Sequence, residues 1–337
     1  MNKYIETIGS LKPKNGNLSK YTVLDLFAGC GGLSLGFESL GFKTVGYESN
    51  KEAVETYNKN LNGKCYLELL TPEFNFPKTD VVIGGPPCQP FSVGGKQMGL
   101  KDSRDGFPIF ISAIRKTSPK IFMFENVRGM LYKNRAYLDE ILNELRLLGY
   151  TLTYELLNAK HFGVPQNRER LIVWGHKDSI KLPRSDKETV SAGDAISDIA
   201  FKLNDDDVFL TPNQDRYIAK YEKASKCINP RDLNLTKPAR TLTCRNLAGA
   251  TGDMHRIKLP DGRRKRLTVR EGARLQSFPD WFKFSGSKTS QFEQIGNAVA
   301  PLFARNLAYT IANYLIGDFS NHVEATHSQA GLFEEVQ

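Results

Sequence analysis

The stretch Tyr21-Thr-Val-Leu-Asp-Leu-Phe-Ala-Gly-Cys-Gly-Gly32 decides the fold. Its first half is a short apolar run, which is typical of a buried strand. Its second half is a glycine-rich turn, where the backbone can approach a ligand closely. An amphipathic segment at 33–40 then predicts a helix. Strand, glycine-rich turn and helix in this order indicate the first unit of a doubly wound α/β sheet.

The alternation of strands and helices continues to about residue 177. Further strands are predicted at 43–47, 80–84, 120–124, 150–157 and 170–174, and further helices at 51–60, 138–148 and 301–316. Beyond residue 180 the chain is polar, rich in Asp, Asn and Lys, and lacks this rhythm. We therefore predict a domain boundary near residue 180, a smaller irregular domain over 181–288 and a mobile polar tail over 321–337.

Composition excludes several classes of protein. Of the 337 residues, 40% are hydrophobic and 25% are charged, which is typical of a globular protein rather than a disordered one. The sequence has no apolar run of ~18 residues and no apolar leader, so we expect a cytoplasmic protein without a membrane segment. The five cysteines (Cys30, Cys65, Cys88, Cys227 and Cys244) form no C-x-x-C pair, so neither a disulfide scaffold nor a bound metal is expected.

The charge balance favours a polyanionic partner. Lys and Arg number 46 against 37 Asp and Glu, a net charge of +9. On this number alone, nucleic-acid binding and a basic enzyme whose charge aids solubility are equally good interpretations. The cluster Arg263-Arg-Lys-Arg266 favours nucleic acid, because clustered cations bind phosphates.

Chemically active side chains follow the predicted strands. The loop Phe27 to Gly32 matches neither the dinucleotide fingerprint nor a P-loop, and alone it could be a plain tight turn. Glu48 follows the second strand, where an acid can accept hydrogen bonds from ribose hydroxyls or can simply favour a helix N-terminus. Together the loop and the acid favour a nucleoside cofactor.

Cys88 lies in the run Gly84-Gly-Pro-Pro-Cys-Gln-Pro-Phe-Ser92. A lone cysteine is usually a small buried hydrophobe. Here two prolines hold it in a polar loop at a strand end, where a nucleophile is more plausible. Gly94, Gly95 and Gly99 follow and would let this loop close as a lid.

Three further charged residues follow later strands. Glu125 comes directly after an apolar run and can act as a proton donor, or can form a structural ion pair with Arg128. Arg168 and Arg170 precede the strand at 170–174, where one could donate to a substrate carbonyl or pair with Glu169.

Five motifs in order resemble one family. Phe27-x-Gly-x-Gly31, Pro86-Pro-Cys-Gln89, Glu125-Asn-Val127, Gln166-x-Arg-x-Arg170 and Gln294-x-Gly-Asn297 are similar to those of the DNA cytosine-5 methyltransferases, especially the compact bacterial enzymes of restriction-modification systems. The resemblance covers residues 20–315. It implies a Rossmann-like sheet at 1–180, completed by 289–320, and a target-recognition domain at 181–288.

The resemblance implies methyl transfer from S-adenosylmethionine to C5 of a cytosine flipped out of double-stranded DNA. Cys88 would attack C6 as a thiolate, Glu125 would hold and protonate N3, Arg170 would bind O2, and Arg168 would support Arg170. The implied cofactor residues are Phe27, Gly29, Gly31, Glu48, Glu68, Pro86, Phe107, Asn297 and Val299. Of these, Glu68 occupies the position where the family usually has Asp. Where the family often has an aromatic residue after the acid, this sequence has Ser49, and Phe107 is expected to take over that role.

The resemblance also places DNA contacts in the recognition domain. Arg231, Asn234, Arg245 and Asn246 are candidates for base edges, since Arg suits guanine and Asn suits adenine, although ordinary surface residues explain them equally well. Arg264 and Arg266 are expected to grip phosphates. A partner restriction endonuclease and a monomeric state are the family's defaults.

Two alternatives to the DNA enzyme stay open on the sequence. A small branch of the family modifies cytosine in tRNA with nearly the same motifs. A non-catalytic DNA-binding relative is a weaker alternative, because Cys88, Glu125, Arg168 and Arg170 are all intact.

Overall fold

The predicted first strand is β1, and it lies near the centre of a seven-stranded sheet. The computed structural model describes residues 2–88, 105–184, 188–205, 207–224, 231–249 and 252–317. The predicted lid glycines and the tail lie outside these residues. The strands in the first part of the chain are β1 (Thr22–Leu26), β2 (Lys43–Glu48), β3 (Lys64–Leu67), β4 (Val81–Gly84), β5 (Ile121–Val127), β6 (Thr151–Asn158), β7 (Gln166–Asn167) and β8 (Glu169–His176).

The strand order in the sheet is β3-β2-β1-β4-β5-β8-β6. The first five strands are parallel, whereas β8 is antiparallel to both β5 and β6. The predicted doubly wound α/β fold is confirmed. The carboxyl ends of β1, β2, β4 and β5 therefore meet at one edge, where ligands bind in such folds.

Helices cover both faces of this sheet, and others lie in the region at 181–288. They are α1 (Lys3–Gly9), α2 (Gly32–Glu38), α3 (Lys51–Asn60), α4 (Phe107–Thr117), α5 (Arg135–Leu147), α6 (Ala192–Ala200), α7 (Pro212–Ala224), α8 (Cys244–Ala248), α9 (Val269–Leu275), α10 (Lys288–Asn297) and α11 (Pro301–Ile316). Because successive strand residues point to opposite faces, Val23 joins one hydrophobic core and Leu24 the other.

The region at 181–288 is more regular than the sequence predicts. Besides α6 to α9 it holds β9 (Ala239–Arg240), which pairs with β7, and the antiparallel pair β10 (Arg256–Lys258) and β11 (Arg264–Arg266). Helix α6 has a sequence signal that we missed, a capping box between Ser191 and Asp194.

The larger hydrophobic core crosses the predicted domain boundary. It includes Ile196, Leu242 and Leu267 together with Val23 of β1. A small separate cluster contains Leu210, Ile218 and Met254. The division at residue 180 stays a prediction, and the structure adds that the two parts share a continuous core.

The last two helices return to the start of the sheet. Helix α11 packs on α2, where a Cβ at Gly36 would lie 2.5 Å from the backbone of Ala304. Glycine at this position therefore lets the two helices approach closely. Among the described helices, none is both long and apolar enough to cross a bilayer.

Candidate active site

A cleft of about 750 Å³ lies at the carboxyl edge of the parallel strands. This volume is in the range of cavities that hold small molecules. The structure brings most of the predicted catalytic and cofactor residues together in its lining: Phe27, Gly29, Glu48, Pro86, Cys88, Glu125, Arg168, Arg170, Asn297 and Val299.

The glycine-rich loop after β1 forms one wall of the cleft. Gly29 has a φ of +53°, and a Cβ there would meet nothing within 4 Å, so the backbone borders open space. Gly31 has a φ of +87°, and a Cβ there would lie 2.8 Å from the ring of Tyr57. Gly31 is thus explained by turn conformation and packing and does not itself line the cleft.

Glu48 joins this loop to α3. Its Oε2 accepts from the backbone N–H of Gly29 at 3.0 Å, and its Oε1 accepts from the N–H groups of Ser49 and Asn50, each at 2.8 Å. The Ser49 hydroxyl also donates to Oε1 at 3.3 Å, so Oε2, which has the single donor Gly29, is the oxygen that keeps capacity for a further one. The carboxylate is held in a fixed position facing the cleft.

Cys88 lies half-buried at the end of the loop after β4. Its thiol donates to the thioether of Met130, with the two sulfur atoms 3.3 Å apart. Burial raises the pKa of the Cys88 thiol, and the Asp105 carboxylate raises it further, while a hydrogen bond from Asn134 opposes them. These surroundings favour the protonated thiol in the free protein.

Glu125 and Arg170 form a partly buried ion pair. Arg170 Nε lies 2.5 Å from Glu125 Oε1, and the two side chains are only 12% and 13% exposed. Glu125 does not form the alternative structural ion pair with Arg128, because Arg128 pairs with Glu169 at 2.6 Å instead. The acid and the arginine thus lie side by side and can together face a Watson–Crick edge.

Arg168 has a supporting position. Its guanidinium is buried and donates to the carbonyl of Leu242 at 2.7 Å and to those of Gly296 and Ala298 at 3.2 Å. Burial, followed by the charge of Arg170, lowers the pKa of Arg168 to about 9. Arg168 therefore holds the cleft wall formed by residues 296–298 against the segment after β9.

Besides Gly31, two predicted cofactor residues do not line the cleft. Glu68 is exposed, and its backbone N–H donates to the carbonyl of Glu48 at 2.9 Å. Phe107 is fully buried in edge contacts with Phe124 and Tyr137, so it offers no face to an adenine ring. The structure contradicts the expectation for Phe107, because the apolar start of α4 packs into the core beneath the sheet edge.

Two of the predicted DNA contacts have partners within the protein. The side chain of Asn246 is buried, where it caps α8 by accepting from the N–H of Thr243 and donates to the carbonyl of Thr241. Arg264 pairs with Asp215 and Asp232, each at 3.0 Å. Local backbone partners therefore occupy the side chain of Asn246, whereas acids distant in the sequence occupy that of Arg264.

The other DNA candidates differ in exposure. Arg266 donates to the carbonyl of Ala248, and Asn234 is exposed and accepts from Thr236. Arg231 and Arg245 lie 3.8 and 3.9 Å from the carboxylate of Asp253, and the side chain of Arg245 is 75% exposed. Arg245 is the more available of this pair to an external acceptor.

Asn126 and Asp25 are among the polar groups of the cleft that the sequence reasoning missed. Asn126 donates to the carbonyl of Pro86 at 3.0 Å and so ties the Cys88 loop to β5. Asp25 also lines the cleft, although it is almost completely buried. An acid inside the apolar run of β1 was the available signal for Asp25.

Comparison with known proteins places this cleft in a family. The profile described as C-5 cytosine-specific DNA methylase matches residues 21–313. The chain is 56% identical over 298 residues to the Type II methyltransferase M.AplI of Arthrospira platensis, covering 87% of this chain and 86% of that protein. It is 36% identical over 333 residues to the Type II methyltransferase M1.HphI of Haemophilus parahaemolyticus, covering 87% and 89%.

A solved structure shares the fold at lower identity. The Entamoeba histolytica methyltransferase EhMeth superposes with a TM-score of 0.65 at 17% identity, covering 89% of this chain and 99% of that one. The profile match spans most of the chain and includes every residue of the cleft. The chain therefore belongs to the C-5 cytosine-specific DNA methylase family.

Proposed function

We propose that this DNA cytosine-5 methyltransferase is the sequence-specific modification enzyme of a type II restriction-modification system. The family transfers a methyl group from S-adenosylmethionine to C5 of cytosine in DNA. The names of the two relatives above support the restriction-modification role and favour DNA over tRNA as substrate. A partner endonuclease, a monomeric state and independence of metal ions belong to this proposal.

The single observation that carries the catalytic proposal is the meeting of Cys88 with the Glu125–Arg170 pair in one cleft. Cytosine C5 is a poor nucleophile until C6 has been attacked. Cys88 Sγ forms a bond to C6, and the electron pair of the C5–C6 double bond is delocalised toward N3. Glu125 holds N3 and protonates it, while Arg170 donates to O2.

The remaining steps restore the base and the enzyme. The thiol proton of Cys88 must leave before attack, because the thiolate is the nucleophile. After methylation, loss of the C5 proton supplies the electron pair of the restored C5–C6 double bond, the Sγ–C6 pair leaves on Cys88, and N3 returns its proton to Glu125. Asn126 and Arg168 position this chemistry by holding the Cys88 loop and the cleft wall.

The cleft fits S-adenosylmethionine. Open space beside Gly29 admits a ligand against the backbone, and Glu48 keeps capacity to accept from ribose hydroxyls. Phe27, Pro86, Asn297 and Val299 line the same space. When bound, S-adenosylmethionine supplies an electrophilic methyl group for the activated carbon.

The test uses the protein with labelled S-adenosylmethionine, offered unmethylated mixed-sequence DNA and bulk tRNA in parallel. We expect label at C5 of cytosine within one short DNA motif. Label in tRNA alone would reject the DNA assignment. Cys88→Ser should abolish transfer and still bind DNA, whereas robust turnover by this variant would remove Cys88 from the nucleophile role.

A further inference from the structure

A continuous chain of buried hydrogen bonds leads from the cleft into the protein. Ser34 Oγ lies 2.6 Å from Asp25 Oδ2, and the Tyr57 hydroxyl oxygen lies 3.0 Å from Ser34 Oγ. Thr44 Oγ1 lies 2.7 Å from the Tyr57 oxygen and donates to Glu38 Oε1 at 2.5 Å. All five side chains are at most 1% exposed, so these bonds are shielded from bulk solvent.

The three hydroxyl groups supply too few protons to form every hydrogen bond in this series of contacts. Four oxygen–oxygen contacts link the two carboxyls, but Ser34, Tyr57 and Thr44 supply only three protons. With both carboxylates ionised, the 2.7 Å contact between Thr44 and Tyr57 has no hydrogen between two oxygen atoms. One added proton, on either carboxyl, completes all four bonds.

The added proton can reside on either of the two carboxyl groups. If Asp25 carries it, the bonds run from Asp25 through Ser34, Tyr57 and Thr44 to ionised Glu38. If Glu38 carries it, every bond reverses and Asp25 is ionised. The backbone N–H groups of Asn62 and Gly63 donate to Glu38, each at 2.8 Å, and so favour ionised Glu38 and neutral Asp25 in the free protein.

The surroundings of Asp25 agree with a retained proton. Burial raises the pKa of Asp25 to about 7, and burial likewise raises the pKa of Glu38. The titratable groups facing Asp25 from the neighbouring elements, apart from the chain itself, are Glu48, Cys30 and Cys65, which are acidic or neutral. No cation among these described groups offsets a charge on Asp25, whereas a cationic ligand in the cleft would.

We infer that Asp25 and Glu38 share one proton through Ser34, Tyr57 and Thr44, and that a cationic methyl donor in the cleft draws this proton from Asp25 to Glu38. Asp25 passes its proton to Ser34 as Ser34 passes one to Tyr57, Tyr57 to Thr44 and Thr44 to Glu38. No proton leaves the protein. Asp25 is then a positioning residue whose negative charge appears when the donor binds; this rests on the donor site proposed above.

Calorimetric titration with S-adenosylmethionine near pH 7, in two buffers of different ionisation enthalpy, tests the relay. For the wild type we expect almost no net proton exchange and a Kd that changes by less than about twofold between pH 6 and 7.5. Tyr57→Phe removes the link, so Asp25 must give its proton to the buffer. When it binds S-adenosylmethionine at pH 7, this variant should release about half a proton. Below pH 7 its affinity should fall by about tenfold for each pH unit.

Matched variants separate the relay from a general effect on folding. Tyr150→Phe also removes a buried hydroxyl, which donates to the carbonyl of Pro119 and takes no part in this series of hydrogen bonds. The Tyr150→Phe variant should therefore behave as wild type. Glu38→Gln removes the proton acceptor and should resemble Tyr57→Phe. S-adenosylhomocysteine has a neutral sulfur and should cause less proton release in both variants. Thermal unfolding beforehand establishes that each variant is folded.

Two results would overturn the inference in different ways. Equal proton release by wild type and Tyr57→Phe would reject the relay while leaving the donor site intact. Failure of the folded wild type to bind S-adenosylmethionine would reject the donor site, and the relay with it.

Discussion

In the proposed mechanism Cys88 attacks as a thiolate, yet its surroundings in the free protein favour the thiol. The sulfur is packed against Met130 and faces the carboxylate of Asp105. Burial and the charge of Asp105 both oppose the thiolate. Nucleophilic attack by Cys88 therefore depends on changes that come with the bound substrate.

The rate of alkylation of Cys88 reports the fraction of this residue that is present as thiolate. Because the pKa of Cys88 is raised above its usual 9.0, the thiolate is the minor form at neutral pH and grows as pH rises. We expect iodoacetamide to modify Cys88 slowly at pH 7 and about tenfold faster for each pH unit up to 9, as followed by peptide mass spectrometry. Buried Cys30 and Cys65 serve as unreactive internal controls. Equal rates at pH 7 and 9 would contradict a raised pKa.

Glu125→Gln tests the proton at N3. Glutamine keeps the length and can still face Arg170, but it has no acidic proton to give. We expect methyl transfer to slow by on the order of 10²–10⁴-fold in single-turnover assays, with DNA binding retained. A normal rate would show that another group protonates N3.

Close packing of whole elements explains how the cleft is built. Helices α2 and α11 meet at Gly36, and α2 begins at the glycine loop that lines the cleft. The distance between these helices therefore affects the position of the loop. Small residues at this contact matter to the site although they touch no ligand.

Gly36→Ala should separate the two helices. The added Cβ would lie 2.5 Å from the backbone of Ala304, and backbone cannot move away cheaply. We expect a loss of about 1–3 kcal/mol in the free energy of unfolding, measured by urea denaturation. Gly9→Ala is the matched control, since a Cβ at this helical glycine meets nothing within 4 Å. Equal effects of the two substitutions would argue against a tight contact.

Within 181–288, arginines that are held by acids of the protein differ from exposed arginines that are proposed to contact DNA. Arg264→Ala leaves Asp215 and Asp232 without this partner and should lower stability by about 1–3 kcal/mol. Arg245→Ala should change stability by less than about 0.5 kcal/mol, because this side chain is exposed, and should weaken binding to cognate DNA by about 1–3 kcal/mol. Thermal unfolding and binding at fixed salt check both. Unchanged DNA binding by Arg245→Ala would remove it from the candidates.

Elements with a local signal could be predicted from the sequence. Helix α3 begins after the capping residue Asn50 and was predicted with its observed bounds. Strand β3 was missed because most of its residues are exposed, so it shows no apolar run and is defined by pairing with β2. The assignment of catalytic residues stays a prediction that rests on their places near strand ends, and the structure adds that Arg264 pairs with Asp215 and Asp232, which lie far away in the sequence.

At the scale of the whole molecule, the continuous core matters more than the predicted boundary. The larger core joins β1 to side chains from 181–288 and from α11. Two parts that share a core are expected to lose their structure together.

The two tryptophans of the sequence test this cooperativity. Trp174 is buried in β8, and Trp281 packs against the same core from the other side of the predicted boundary. In Trp174→Phe and Trp281→Phe, the remaining fluorophore should report the same urea midpoint as far-UV circular dichroism. Separate midpoints for the two fluorophores would indicate two independently unfolding parts.

The cleft combines residues from both ends of the chain. Gly29 and Glu48 come from its beginning, whereas Asn297 and Val299 come from α10 and the turn before α11. During synthesis on the ribosome, the early strands emerge long before the segment that closes the donor site. A nascent or prematurely terminated chain thus lacks a complete pocket. Methylation of the genome can begin only once translation has passed the last of these residues.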